Sequence, residues 1–397
     1  MLFLCSSVAN RAAAQCDENY VRLTPGAGAV VVEPTGLDDS SNLSCALELV
    51  RDRQLLKVSL SAGEYFVDGV QISNFRGILQ GAGRESTIVR GLAEPRECEA
   101  DGSLSRINPA AITFLGGEPI VRYVSFYAGR ACDVYESILQ FTADTVNDGS
   151  CTGSGVINAS IDRTDLYAGA DYNAESAAYG IRVAPQGRET TGCRDKLRGS
   201  FSARFSSFSG FKSRAAILVS MHSGARVDVS NSDFRDNVSG VSIERAFVDA
   251  NFSFNTFVPP PLPPGEEPSE QNASHSILTT GSEPTIDGVS RLSFSSNAFR
   301  NHPFQWCVPL FGDPVVAIFT GNLFTDCGVV GRPETGFLSN NLASGDASFG
   351  LGNTTIQGNR PQTEEDTLRI DLLGGSTVGV DQGQYIGSVS GENYFAQ

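Results

Sequence analysis

Carboxylates, arginines and tyrosines gather in two stretches of the chain, and these are residue types that can hold and cleave sugars. Asp162, Arg163 and Asp165 are followed by Arg182, and Asp233 is followed by Glu244 and Arg245. A carboxylate pair roughly 6.5 to 9.5 Å apart suits an inverting glycosidase, with one group protonating the leaving oxygen and the other activating water. Asp165 and Asp233 are the pair that stacking of the chain could bring to such a spacing. A groove lined by both signs of charge could hold sugars through Arg163 and Arg245. The same residues could equally form surface ion pairs worth about 0 to 1 kcal/mol each. Tyr167, Tyr172 and Tyr179, with Tyr123, Tyr127 and Tyr135 close by in sequence, offer flat apolar faces with a polar tip. Such faces stack on sugar rings or cover structural corners.

Other chemistries find less support. His222, His275 and His302 stand alone, with no neighbouring motif to orient them as bases. No cysteine lies in a CxxC pair, so zinc is not expected. Asp162, Asp165 and Asp171 could ligate one Ca²⁺, although the regularly spaced aspartates of a calcium loop are missing. Gly26-Ala-Gly28 and Gly81-Ala-Gly83 lack the helix pattern and Lys-Ser/Thr pair of a phosphate loop and read as backbone corners.

The elements that must position these residues announce themselves through phenylalanine. Val229-x4-Phe234, Phe252-x4-Phe257, Phe294-x4-Phe299 and Phe319-x4-Phe324 share one pattern, and Asn255, Asn297 and Asn322 stand two residues before three of the anchors. Weaker copies put further anchors at Phe126, Leu166 and Phe208. Adjacent anchors are about 23 to 26 residues apart or nearly twice that, which is the period of a stacked solenoid of short strands. The long intervals are inserted loops or coils whose signature has decayed.

Hydrophobic-x-hydrophobic is the inward face of a strand, the polar stretch turns the backbone, and the aromatic returns inside. Asparagine suits the corner because it tolerates left-handed angles, and stacked asparagines would form a hydrogen-bonded ladder. If only the Phe208 coil separates Asp165 from Asp233, the two carboxylates stand about 10 Å apart. An extra coil would separate them too far.

The 397 residues carry a net charge of −16, which disfavours nucleic acid and anionic membranes as partners. No run approaches the roughly 20 apolar residues of a membrane span. Residues 1–14 end in Ala12-Ala-Ala14 and read as the latter part of an export signal. Cleavage there would leave eight cysteines, an even number that fits disulfides formed in an oxidising compartment. Sequential pairs such as Cys16 with Cys45 and Cys307 with Cys327 are expected. Leu43, Ala46, Leu47 and Val50 fall on one face of a short helix after Asp38-Asp39. Laid across the first coil, that helix would cap the solenoid.

After this helix come Leu60-Ser-Ala-Gly-Glu-Tyr65, Gly77-Ile-Leu-Gln-Gly-Ala-Gly83 and Ser86-Thr-Ile-Val89. With the Asn/Phe coils, these segments resemble right-handed parallel β-helix proteins of the pectin-lyase-like superfamily over roughly residues 36–360. The resemblance implies an all-β, right-handed parallel β-helix that engages a polysaccharide or surface glycan along one face. Polysaccharide lyase or glycoside hydrolase chemistry is the implied activity, and only through this resemblance do Asp162, Arg182 and Glu244 join Asp165 and Asp233 as catalytic candidates. Family lyases use an Arg or Lys base, and family hydrolases use clustered aspartates with Gly-His-Gly and Arg-x-Lys motifs, of which this chain lacks Gly-His-Gly. The alternative is a non-catalytic structural, adhesin or spike-like rod.

The expected organisation is a signal segment at 1–14, an N-terminal cap with its helix at 15–56, and the β-helix at 57–375. Loops are inserted at 144–154, 171–196 and 258–275, and a C-terminal cap or tail occupies 376–397. The protein is expected to be secreted, extracellular or periplasmic. Monomer and trimer both remain open.

Overall fold

The computed structural model describes residues 16–91, 110–128, 135–142, 156–168, 177–184, 198–212, 214–220, 225–244, 246–262, 274–280, 289–300, 306–310, 315–331, 333, 335–363, 365–372, 377–379 and 389–391. Its strands stack into three parallel ladders that wind as a right-handed β-helix. The first ladder starts at Ala29–Val32 and Lys57–Leu60 and runs through Val156–Asp162 and Val248–Ser253 to Thr377–Gly379. The second, with 11 strands, runs from Gly63–Val67 to Arg360–Pro361. The third runs from Val70–Phe75 through Ala177–Val183 and Ser239–Glu244 to Val389–Gly391.

The anchor residues occupy one column of the second ladder. Phe126 pairs with Leu166, Leu166 with Phe208, Phe208 with Phe234, Phe234 with Phe257, Phe257 with Phe299 and Phe299 with Phe324. No coil intervenes anywhere in that series, so the long intervals hold the same strands as the short ones, with longer connections between them. The earlier partner in each motif forms a second column, in which Val229, Phe252, Phe294 and Phe319 are consecutive. Facing rings stack along both columns, at 4.7 Å between Phe234 and Phe257 and 4.3 Å between Phe294 and Phe319. Period-two alternation puts these side chains inside, where each buried ring stabilises by several kcal/mol.

The asparagine ladder is present, one residue away from the left-handed position expected for it. The left-handed residues are Phe254, Ser296 and Gly321, each just before Asn255, Asn297 and Asn322. The asparagines themselves are buried. Asn297 Oδ1 accepts both the backbone N–H and the side-chain amide of Asn255 at 3.0 Å, and its own Nδ2 donates to the Phe252 carbonyl at 2.9 Å. Asn322, Asn341 and Asn359 repeat the arrangement. Ser232, Ser206 and Thr164 continue it with hydroxyls toward the N-terminus. The amide is needed inside to satisfy peptide groups the corner has orphaned, which displaces the backbone reversal by one position.

The helix spans Ser40–Asp52, and Leu43, Ala46, Leu47 and Val50 are all buried. It packs over Ala29–Val32 and Val70–Phe75 at the N-terminal end of the core. Buried Asp39 accepts the backbone N–H groups of Thr35 and Phe66, at 2.8 and 3.0 Å, and so ties the helix start to the second ladder. Disulfides join Cys16 to Cys45 and Cys307 to Cys327, the two pairs expected. Cys98, Cys132, Cys151 and Cys193 lie outside the described residues, as does most of the expected insertions at 144–154 and 171–196. After Thr256–Val258 the proline run leaves the stack, which resumes at His275–Thr280. Among the described residues no helix is long and apolar enough to cross a membrane.

Candidate functional site

Four consecutive strands of the third ladder share the arrangement apolar, variable, apolar. Leu139-Gln140-Phe141, Ile181-Arg182-Val183, Ile217-Leu218-Val219 and Val241-Ser242-Ile243 are in register. The flanking residues enter the core, so the middle ones point outward. One outward column therefore reads Gln140, Arg182, Leu218, Ser242, and Tyr179 and Ala215 pair in a neighbouring column. Tyr179, Ala215 and Leu218 form a small apolar cluster outside the main core.

Polar groups surround this cluster. Arg214 donates to the Tyr179 hydroxyl at 3.2 Å, with its guanidinium 6.0 Å from the ring centroid. Ser242 donates to Glu244 Oε1 at 3.0 Å. Burial raises the Tyr179 phenol above its ordinary pKa, and the Glu244 charge adds to that, while Arg214 and Arg182 oppose it. Arg182 and Gln140 are covered, at 6% and 0% exposure. Among the described residues neither amide atom of Gln140 has a hydrogen-bond partner, and neither does the Thr142 hydroxyl two residues on. Such groups cost about 1–3 kcal/mol each, and native interiors keep few of them without a reason.

His275 stands in the same outward column as Ser239. Its Nδ1 lies 3.2 Å from the Trp306 carbonyl oxygen. A carbonyl can only accept, so Nδ1 carries the proton and Nε2 keeps its lone pair. Burial lowers its pKa below the ordinary imidazole value. No sequence motif orients this histidine; the orienting group, the Trp306 carbonyl, comes from the next coil.

The candidates read from sequence divide between faces. Tyr179, Arg182 and Glu244 come together on the third ladder. Asp162 ends a first-ladder strand, and Arg163 follows it in the corner, bound to Asp162 at 2.9 Å. Asp165, Tyr167 and Asp233 belong to the second ladder. Tyr172 and Arg245 lie outside the described residues. Asp165 and Asp233 both pair with Ser207, so one coil separates them, about 10 Å at the usual strand spacing. Each is engaged by an arginine, Asp165 by Arg84 at 2.9 Å and Asp233 by Arg235. Tyr167 stacks on Tyr127 at 4.8 Å rather than standing free.

Two of the three donors weighed for calcium are engaged elsewhere. Asp162 and Asp165 each already hold a guanidinium, and Asp171 lies outside the described residues. Among the described residues no three His, Cys, Asp or Glu side chains converge as a metal site.

Gln140, Arg214 and the orientation of His275 are additions of the structure. Aligning the four third-ladder strands on their apolar residues exposes Gln140 and Arg182 as one variable slot, the signal by which they could have been found.

No protein-family model matches the chain, and no curated protein matches it by sequence. Among solved structures, the catalytic unit of a thermostable GH87 α-1,3-glucanase from Streptomyces thermodiastaticus strain HF3-3 is similar at 10% identity and a TM-score of 0.50, covering 91% of this chain and 67% of that one. A GH87 α-1,3-glucanase catalytic domain in complex with nigerose is similar at 10% identity and a TM-score of 0.43, over 94% and 69% of the two chains. A tailspike protein of E. coli bacteriophage HK620 in complex with a pentasaccharide is similar at 10% identity and a TM-score of 0.42, over 88% and 64%. The likeness is one of fold, and the chain is a right-handed parallel β-helix, the architecture its sequence resemblance implies.

Proposed function

We propose that this is a secreted β-helix protein that binds a polysaccharide at the outer side of its third ladder, with the accessible Arg214 and Glu244 as the contacting residues and the covered Tyr179 and Arg182 positioning them. The observation that carries the reading is the variable column itself. Gln140, Arg182, Leu218 and Ser242 stand in register on consecutive strands, beside a tyrosine and a carboxylate. Aromatic, cationic and carboxylate groups side by side suit a ring with an apolar face and a hydroxyl edge. A glucanase catalytic unit with the same fold supports a glycan as the ligand.

The assigned roles follow from the chemistry of each group. Glu244 is the carboxylate for proton transfer, and Arg214 is the cation that orients substrate oxygens. Tyr179, its phenol held protonated by burial, accepts from Arg214 and positions it, and the charge of Arg182 acts from beneath. Hydrolysis or β-elimination of a polysaccharide is the corresponding reaction. Disulfides and the net charge of −16 fit an extracellular setting.

Incubation with neutral glucans and with uronic-acid polymers tests the reading. New reducing ends indicate hydrolysis, and an ultraviolet-absorbing unsaturated uronate indicates β-elimination. Either product should fall at least a hundredfold in Glu244→Gln and Arg182→Ala. A second reading, a non-catalytic display rod, draws on the unbroken phenylalanine and asparagine columns. Absence of both products and of any polymer binding would select it.

A further inference from the structure

At the corner between the first and second ladders, one residue per coil takes the left-handed conformation. Ser296, Gly321, Asn340 and Gly358 hold that place in the later coils. Small and amide residues accept positive φ at low cost. In the earlier coils the same place holds Tyr123, Arg163, Phe205, Asn231 and Phe254, with φ of 56°, 47°, 50°, 51° and 57°. Bulky residues there are strained. Burial does not repay the strain, because Phe205 is 45% exposed and Phe254 62%.

These residues form one column. Arg163 donates its backbone N–H to the Arg204 carbonyl, Phe205 to that of Ser230, and Phe254 to that of Ser295, so each is stitched to the next coil at the same point. Tyr123, Phe205 and Phe254 occupy alternate coils, about 10 Å apart at the usual strand spacing. Between the first two, the Arg163 guanidinium lies 5.5 Å from the Tyr123 ring centroid and 5.1 Å from that of Phe205. Its charge is met by Asp162, and that of Arg204 by Asp228 at 3.0 Å.

We infer that this corner is a binding strip for an extended, neutral polysaccharide with a two-sugar repeat. In such a chain every second ring presents the same apolar face to one side, and two pyranoses advance by about the distance between the aromatic residues. The balanced ion pairs between them match hydroxyls, which both donate and accept. An acidic polymer would meet the −16 charge of the chain. A second copy of the protein is a poor occupant, because the rings are only partly exposed, Phe205 by 45% and Phe254 by 62%, and together offer less than the roughly 500 Å² that each partner gives to a stable interface of about 1,000 Å². The strip lies on a different face from the third-ladder site, and either can stand without the other.

The test is affinity electrophoresis in gels containing hydroxyethylcellulose, glucomannan or alginate, with thermal unfolding measured in parallel. Wild-type protein should be retarded by at least one of the two neutral polymers. The double variant Phe205→Asn, Phe254→Asn takes the residue already used at Asn231 and Asn340, and should bind at least tenfold more weakly with an unchanged or higher unfolding temperature. Arg22→Ala, an exposed change in the N-terminal hairpin, should leave this binding intact. Retardation by alginate alone, or by none of the polymers, would overturn the inference. Unaltered binding in the double variant, or a fall in unfolding temperature that accompanies the loss, would do the same.

Discussion

The inside of the corner between the first and second ladders and the outside of the third ladder are both buried and both polar, yet they are built on opposite rules. Inside the corner, each asparagine does for its neighbour what the next does for it, and Asn255, Asn297, Asn322, Asn341 and Asn359 leave no amide unmatched. On the third ladder, Gln140 is as deeply covered as any of them but has no partner among the described residues, and its column neighbours are an arginine, a leucine and a serine. Repetition satisfies polar groups because identical coils present identical partners. Departure from repetition leaves groups whose needs only another molecule, such as water or a ligand, can meet.

Substitutions in the repeating columns should cost most. Phe257 stacks on Phe234 and Phe299 at 4.7 and 5.3 Å, so Phe257→Ala should lose about 3–5 kcal/mol in chemical denaturation. Replacing Cys307 and Cys327 together by serine opens a crosslink of sequence separation 20 and should lose about 3 kcal/mol, which denaturation with and without reductant will read. Asn297→Ala strands the Asn255 N–H and the Phe252 carbonyl and should lose about 2–3 kcal/mol. A loss near zero for Asn297→Ala would show that the ladder decorates the corner rather than holding it.

A smaller effect should appear with pH. Burial keeps the folded His275 pKa below its unfolded value, so unfolded chains bind the proton more readily. Its contribution is complete above the ordinary imidazole value of about 6.5 and is lost as pH falls below it. His275→Gln should flatten that part of the stability profile, measured by urea denaturation between about pH 4.5 and 7.5. An unchanged slope would remove His275 as its source.

These contrasts also explain what could be read from the sequence. Phenylalanine anchors were legible because an inward slot accepts few residue types and recurs once per coil. The helix was legible from Leu43, Ala46, Leu47 and Val50 for the same reason. The left-handed corner was placed one residue late, because a pattern of side chains does not distinguish an amide that turns the chain from one that serves the turn before it. Candidate site residues grouped by sequence distance fared differently. Asp165 and Arg182 are 17 positions apart, yet they lie on different ladders, whereas Arg182 and Ser242 are 60 apart and separated by the single strand of Leu218. The number of residues between successive second- and third-ladder strands varies, which hides that register, and with it Gln140 and Arg214, from a reading of the sequence.

Gln140→Leu tests the central contrast most directly, with unfolding free energy measured beside that of Asn297→Ala. Removing a buried amide that has no partner should leave stability unchanged or raise it by about 1 kcal/mol, while the same kind of change in the asparagine ladder is costly. Equal losses from both variants would mean that the third-ladder face is ordinary structure, and would contradict its assignment as the functional surface.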